Sequence, residues 1–330
     1  MDRRGFLRWL LLSGFFFKEK PLLASSFSVI RNYRALGKTG LQMSDISMGT
    51  GEPPPESLIL RAIDRGINYI DTAPDYGRAE EVVGRALKKR KNKDIIVATK
   101  LCFPGPYPNH LSARAGKRDY IRAVEGSLKR LQREWIDFIF VHAIGEHSRN
   151  IEEERKRLFS EEMLSAVQTL KEQGKVRFLA VSSHGPYHME ELLFEAVRSG
   201  YFDMIMTAFN FMKFPRLPEV IKEAHKRSIA VVAMKTLAGA KQMRIPREDE
   251  PFAVAALKWV LKHPELSGLV ITFRSIHQLN LYLRASGTEF TEKDMAILKH
   301  YENRLNSTYC RIGCSICEQY CPESTPIANI

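Results

Sequence analysis

NYIDTAPDYG, residues 68–77, is the stretch on which the fold turns. Tyr69 and Ile70 close an apolar run, and Asp71, Pro74, Asp75, Tyr76 and Gly77 crowd polar and turn-forming residues directly behind it. That is a buried strand running into a tight loop. A parallel sheet collects its chemistry at the carboxyl ends of its strands, so Asp71 and Tyr76 stand where a barrel or a doubly wound sheet places an active site.

Outward from this stretch, strand-like and helix-like segments alternate. Strands are expected at 46–51, 67–71, 95–101, 136–144, 176–182, 203–209, 229–234 and 268–272. Helices are expected at 56–66, 79–90, 118–132, 160–173, 189–198, 217–227, 252–261, 276–284 and 292–304. The helix at 79–90 is typical, with Glu80 and Glu81 in its first turn and Lys88, Lys89 and Arg90 in its last, matching the macrodipole. The run IIVATKL at 95–101 is continuously apolar before Lys100, as a strand buried on both faces requires. Eight strand–helix alternations with short connections imply an α/β fold, a (β/α)8 TIM barrel, and 330 residues leave room for one, since about 250 suffice. The phosphate fingerprint GxGxxG of an open doubly wound sheet is absent. Loops at 103–117, 145–159 and 238–250 are expected to line the barrel mouth, where Arg114, Lys117, Arg149 and Arg244 hint at an anionic ligand.

The formal net charge is +12, but basic residues follow helix faces such as Lys88 to Lys91 and Arg155 to Arg157. No basic stripe interleaved with aromatics runs through them, so nucleic acid is not the expected partner. The charge reads as a solvated surface, with attraction to an anionic cofactor or a membrane surface as the sharper alternative.

Both ends depart from the barrel pattern. Residues 1–26 carry paired arginines, Arg3 and Arg4, ahead of an apolar run from Trp9 to Phe17, the arrangement of a twin-arginine export signal. Lys18, Glu19 and Lys20 cut that run far short of the ~20 residues a spanning helix needs. Ala24 and Ser26 offer a cleavage site. The expected organisation is a signal segment at 1–26, a barrel at 27–305 and a cysteine-rich tail at 306–330, with the export machinery as a partner and a periplasmic or other extracytoplasmic destination. In the tail, Cys310, Cys314, Cys317 and Cys321 give C-x3-C-x2-C-x3-C-P. Four thiolates this close can wrap one 4Fe-4S cluster, and the ending is like that of a bacterial ferredoxin. Disulfides in an exported protein and a zinc site remain alternatives.

Two further strands end in polar residues. Lys100 follows IIVAT, and His142 follows FIFV. Burying either costs several kcal/mol without a partner, and Asp71 is the natural one for Lys100. A lysine beside Tyr76 is expected to draw the phenol pKa down from about 10, preparing a proton donor for a carbonyl oxygen. His142 can hydrogen-bond that same oxygen.

With these four residues in place, the chain resembles the aldo-keto reductases from about Tyr33 to Arg304. The resemblance implies interconversion of a carbonyl and an alcohol by hydride transfer with a nicotinamide cofactor. Tyr76 is then the general acid or base, Lys100 and Asp71 tune it, and His142 positions the carbonyl of a small-molecule substrate. The cofactor positions match less closely. Ser182 and Ser183 stand where the family holds the carboxamide, Met206 replaces its glutamine, and Phe209 and Asn210 follow. Lys235, Thr236 and Leu237 replace its Ser-Pro-Leu loop, which gives Lys235 to the pyrophosphate with Leu237 beside it. Arg274 and Ser275 are candidates for an adenosine phosphate and Gln278 for the adenine, which implies NADP(H) ahead of NAD(H). Free nucleotide is not expected outside the cytoplasm. Two alternatives follow: an electron-transfer protein that uses the 4Fe-4S tail and a redox partner, and a non-catalytic binding barrel. Neither the substrate nor the oligomeric state is legible.

Overall fold

The computed structural model of the chain describes residues 28–91, 93–146, 148–185, 187–212, 216–237 and 250–305. The segment 1–26, the loop residue Arg244 and the cysteines Cys310, Cys314, Cys317 and Cys321 lie outside the described residues.

A hairpin of β1 (Tyr33–Ala35) and β2 (Gln42–Ser44) pairs antiparallel ahead of the first expected strand. Then β3 (Ile46–Gly49), β4 (Tyr69–Asp71), β5 (Ile96–Lys100), β6 (Ile136–Val141), β7 (Val176–Ser183), β8 (Met204–Ala208), β9 (Ala230–Met234) and β10 (Gly268–Thr272) follow. Each bonds in parallel to the next, and β10 bonds back to β3 to close the barrel. Helices fill the intervals, as the alternation implies. This is a (β/α)8 TIM barrel.

Successive side chains on a strand point to opposite faces, and that period of two decides what enters the barrel. Tyr69, Ile96, Ala98, Phe138, Phe140, Ala180, Met204, Met206, Val232 and Val270 share one interior cluster. Their strand neighbours Ile70, Val97, Ile139 and Val181 belong instead to the larger cluster packed under the helices. Two residues beyond the last apolar inward position, the chemistry changes. Asp71 follows Tyr69, Lys100 follows Ala98, His142 follows Phe140 and Ser182 follows Ala180. A polar layer therefore lies over an apolar one at the carboxyl end of the barrel.

The amino end is closed by the hairpin, whose Leu36, Leu41 and Met43 pack into the interior cluster. Its turn docks where Lys38 N donates to the Ser228 carbonyl at 2.8 Å. Gly37 has φ of 54°, and a Cβ there would stand 2.3 Å from the Ser228 oxygen, so the turn admits only glycine.

One loop expected at the mouth is partly helical. Residues 151–158 form a helix of sequence IEEERKRL, which has too few apolar residues to display a helical period. Its ends define it. The Asn150 side chain accepts from Glu152 N, three glutamates occupy the first turn, and Arg155, Lys156 and Arg157 occupy the last. Strand and helix limits otherwise differ from expectation by a few residues at their ends.

The helix Ala79–Lys88 meets the end of the helix Lys117–Leu131 at Gly84, where a Cβ would lie 2.7 Å from the backbone oxygens of Arg130 and Leu131. The same junction carries buried Glu80, which accepts from Thr99 Oγ1 and from Arg130 Nε, each at 2.6 Å. Gly84→Ala is expected to destabilise the barrel by about 1–3 kcal/mol through overpacking. A thermal midpoint equal to that of the native chain would show that the two helices separate without cost.

Candidate active site

The polar layer is tied together by a buried ion pair. Lys100 Nζ contacts Asp71 Oδ1 and donates to the Thr72 carbonyl at 3.0 Å, with the lysine side chain 1% exposed. The ammonium also lies 4.6 Å from the centre of the Phe140 ring. Burial raises the Asp71 pKa, and the Lys100 charge pulls against that rise.

Tyr76 and His142 meet above this pair. The Tyr76 hydroxyl lies 3.4 Å from His142 Nε2, and the rings meet edge to face at 6.0 Å. The other ring nitrogen, Nδ1, lies 2.9 Å from Ser182 Oγ. His142 is 5% exposed, and burial, with Lys100 second, draws its pKa well below the usual imidazole value of 6.5. It is neutral near pH 7.

The expectation that Lys100 draws the tyrosine pKa down is corrected. Burial first, then the carboxylates of Asp71 and Asp75, hold the Tyr76 phenol well above its ordinary value. The Lys100 charge is engaged by Asp71, so Tyr76 keeps its proton and is poised as a donor.

The chain turns sharply after His142. Ala143 has φ of 49°, a left-handed conformation costly for a residue with a Cβ. The surroundings hold it there. Arg157 donates to the carbonyls of His142 and Ala143 at 2.8 Å each, and Ala143 N donates to Ser182 Oγ at 3.0 Å. Arg157 belongs to the helix that the sequence did not disclose.

A pocket of about 450 Å³ opens beside this constellation, within the range of ligand sites. Asp71 and Tyr76 line one end, Met206, Met234 and Val270 form its floor, and Lys235, Thr236, Leu237 and Arg274 line the remainder. Thr236 Oγ1 is buried there without a hydrogen-bond partner among the described residues. Arg274 reaches across the mouth to Glu52, an exposed pair.

The other expected cofactor residues have different surroundings. Ser182 is engaged by His142 and Ala143, and the Ser183 hydroxyl donates to the Ile144 carbonyl at 2.6 Å. In the structure their hydroxyls brace the rim after β6. Phe209 packs away from the pocket against Trp259 and His263, at 5.1 Å from each ring. Asn210 braces the loop after β9 by donating to the Lys235 carbonyl at 3.0 Å. Ser275 caps the helix Ile276–Leu283 by accepting from Gln278 N at 3.2 Å, and Gln278 Oε1 accepts from Arg274 N at 2.8 Å.

The sequence reading passed over Tyr107, His110, Glu146 and the role of Asp75. Tyr107 donates to Glu146 Oε2 at 2.5 Å and stands 6.4 Å from the Tyr76 ring and 6.1 Å from that of His142. Only the unusual density of aromatic and histidine residues in loops hinted at them.

Known proteins show the family. The model of the Aldo/keto reductase family matches residues 52–250. The chain belongs to the aldo/keto reductase family. It is 27% identical over 304 residues to an uncharacterized oxidoreductase, YrpG, of Bacillus subtilis, covering 77% of this chain and 90% of that protein. It is also 27% identical over 258 residues to the L-galactose dehydrogenase of Arabidopsis thaliana, covering 72% of this chain and 77% of the relative. A solved structure from Pseudomonas aeruginosa assigned to the aldo-keto reductases superposes with a TM-score of 0.61 at 26% identity, over 79% of this chain and 97% of that one. The chain is thus an oxidoreductase of the aldo/keto reductase family.

Neutral His142 gives the site a pH signature. Its native pKa lies below 6.5, so the unfolded chain binds the extra proton first as pH falls, and stability drops below about pH 6.5. The slope is at most about 1.4 kcal/mol per pH unit for one group. His142→Gln is expected to lose less stability between about pH 7.5 and 5.5 than the native chain, measured by urea unfolding. Equal losses in the two proteins would remove this assignment.

Proposed function

We propose that the chain reduces the carbonyl of a small molecule, and oxidises the corresponding alcohol, using NADP(H), with Tyr76 as the acid and base. The observation that carries this reading is the meeting of Tyr76 and His142, 3.4 Å apart, over the Lys100–Asp71 pair at the end of the pocket.

The pocket fits a dinucleotide in its donor chemistry. Lys235 and Arg274 supply cations for phosphate groups, and the buried hydroxyl of Thr236 lacks a partner among the described residues. When bound, the nicotinamide cofactor supplies the hydride. The chain's own residues handle the oxygen. Tyr76 donates its proton to the carbonyl oxygen as negative charge develops there, and the oxygen stays on its carbon as the hydroxyl of the alcohol product. His142 adds a second hydrogen bond that orients the oxygen and spreads the charge. Lys100, held by Asp71 and the Thr72 carbonyl, offsets the Asp71 carboxylate, whose charge would otherwise oppose a transient phenolate more strongly. The high Tyr76 pKa keeps the phenol protonated as a donor at neutral pH.

Tyr76→Phe in the full chain is expected to lower kcat for an aldehyde probe by about 10²–10⁴-fold, with NADPH affinity retained in a fluorescence titration. Turnover equal to the native chain's would remove Tyr76 as the acid.

The two chain ends support a wider reading. The four thiols Cys310, Cys314, Cys317 and Cys321 form a donor set suited to a 4Fe-4S cluster, and Arg3 with Arg4 suits export of a protein already folded and loaded. A cluster of this kind would pass electrons singly and call for a redox partner, which makes an electron-transfer role the second reading. On expression of the full chain, the protein is expected in the periplasmic fraction with iron and sulfide in equal amounts. A variant with Arg3→Lys and Arg4→Lys is expected to stay in the cytoplasm. Protein free of iron after anaerobic purification would remove the cluster, and unchanged fractionation of the variant would remove the export route.

A further inference from the structure

Behind His142 lies a second buried histidine that the reaction above does not use. His110 sits in the loop after β5, in a hairpin closed where Cys102 pairs antiparallel with His110. Phe103 N donates to the Asn109 carbonyl at 3.2 Å, and Leu111 N donates to the Leu101 carbonyl at 3.3 Å. The hairpin returns the imidazole to the active site. The His110 ring centre is 4.5 Å from that of His142, at 67°, and Tyr107 packs edge-on against both rings at 5.5 and 6.1 Å.

A buried carboxylate faces His110. Its Nε2 lies 3.6 Å from Asp75 Oδ2, and the two side chains are 3% and 0% exposed. Asp75 Oδ2 also accepts from Asn109 N at 3.2 Å, and Oδ1 accepts from the Cys102 thiol at 3.4 Å. Burial and Asp75 together keep that thiol protonated. A carboxylate and an imidazole sealed beneath the surface are costly where apolar groups would pack as well, so their placement against His142 calls for a purpose.

From the opposite side, Ser182 contacts the same ring. Its Oγ accepts from the Ala143 amide at 3.0 Å, which always donates. The serine proton is then free to serve the other contact, His142 Nδ1 at 2.9 Å. With Nδ1 accepting, the single proton of the neutral ring sits on Nε2, the atom 3.4 Å from the Tyr76 hydroxyl.

We propose that His110, faced by Asp75, and Ser182 are positioning residues that lock the His142 ring in one orientation and in its Nε2–H tautomer. His142 then donates to the substrate oxygen while Tyr76 keeps its own proton for transfer. The kinetic side of this proposal rests on the carbonyl reading given above. The tautomer does not.

The test uses the full chain with NADPH and 4-nitrobenzaldehyde. His110→Phe fills the space without a donor and is expected to lower kcat roughly tenfold to a hundredfold through misplacement of His142, with KM for the aldehyde nearly unchanged. His110→Gln keeps an N–H for Asp75 and is expected to restore most of the rate. Ser182→Ala is expected to lower kcat in the same way. Nitrogen-15 NMR of histidine-labelled protein is expected to find His142 as the Nε2–H tautomer in the native chain, and a mixture of tautomers in Ser182→Ala. An Nδ1–H signal for native His142 overturns the proposal, as does native kcat in both His110→Phe and Ser182→Ala. A native chain that binds no NADPH and turns over no aldehyde defeats the functional reading instead, and the NMR measurement on that same chain still decides the tautomer.

Discussion

An ammonium group inside a barrel is the constraint around which this site is built. Lys100 occupies an inward position of β5 and is almost wholly buried, which without compensation would be prohibitive. Asp71 on the adjacent strand meets it because β4 and β5 are registered with Asp71 opposite Ala98, two residues before the lysine. Removing one partner of such a pair strands the other charge, at a cost of about 3–5 kcal/mol. Strand register, the order of the polar layer and the chemistry of the mouth are therefore one problem. A slip of one residue would turn Asp71 and Lys100 into the helix layer and Ile70 and Thr99 into the barrel.

The imidazole is supported quite differently. His142 lies just past β6, where the chain is already turning, and nothing in its strand fixes the ring. Its placement comes from two directions. Arg157 captures two successive carbonyls and holds Ala143 in the left-handed region, and Ser182 takes the freed amide. The Arg157 guanidinium is itself fixed by Glu154 at 3.1 Å, and Glu154 also accepts from Gly145 N at 2.9 Å. A short helix without an apolar stripe thus has a use that its composition hides: its two buried charged residues organise a loop and leave the surface face to its other charges.

This division explains how much was legible beforehand. Continuous apolar runs ending in one polar residue marked β4, β5 and β6, and the period of two then placed Asp71, Lys100 and His142 in one layer. Tyr76 was legible because a turn fixes its distance from Asp71. The hairpin at the amino end was not, since three-residue strands display no period, and its plug residues Leu36 and Met43 read equally well as loop. His110 and Asp75 were illegible for another reason. Their significance depends on a loop folding back so that residues about 35 apart in sequence are brought together, and no local pattern encodes that return. Ser182 was visible, but its contacts with His142 and the Ala143 amide were not, because they join β7 to the turn after β6.

At the far end of the pocket the same physics gives a looser outcome. Arg274 and Glu52 span the mouth as an exposed pair, and such pairs contribute about 0–1 kcal/mol. A phosphate oxygen offers the guanidinium a stronger, charge-assisted partner. Exchanging Glu52 for phosphate therefore costs little, whereas exchanging Asp71 for anything costs the polar layer its balance. The pocket is graded accordingly. Its inner end is fixed by buried charges that have no better partner, and its outer end is held by a contact weak enough to yield. A site so arranged can admit and release a large anionic ligand at the mouth without disturbing the geometry of Tyr76 and His142 at its base.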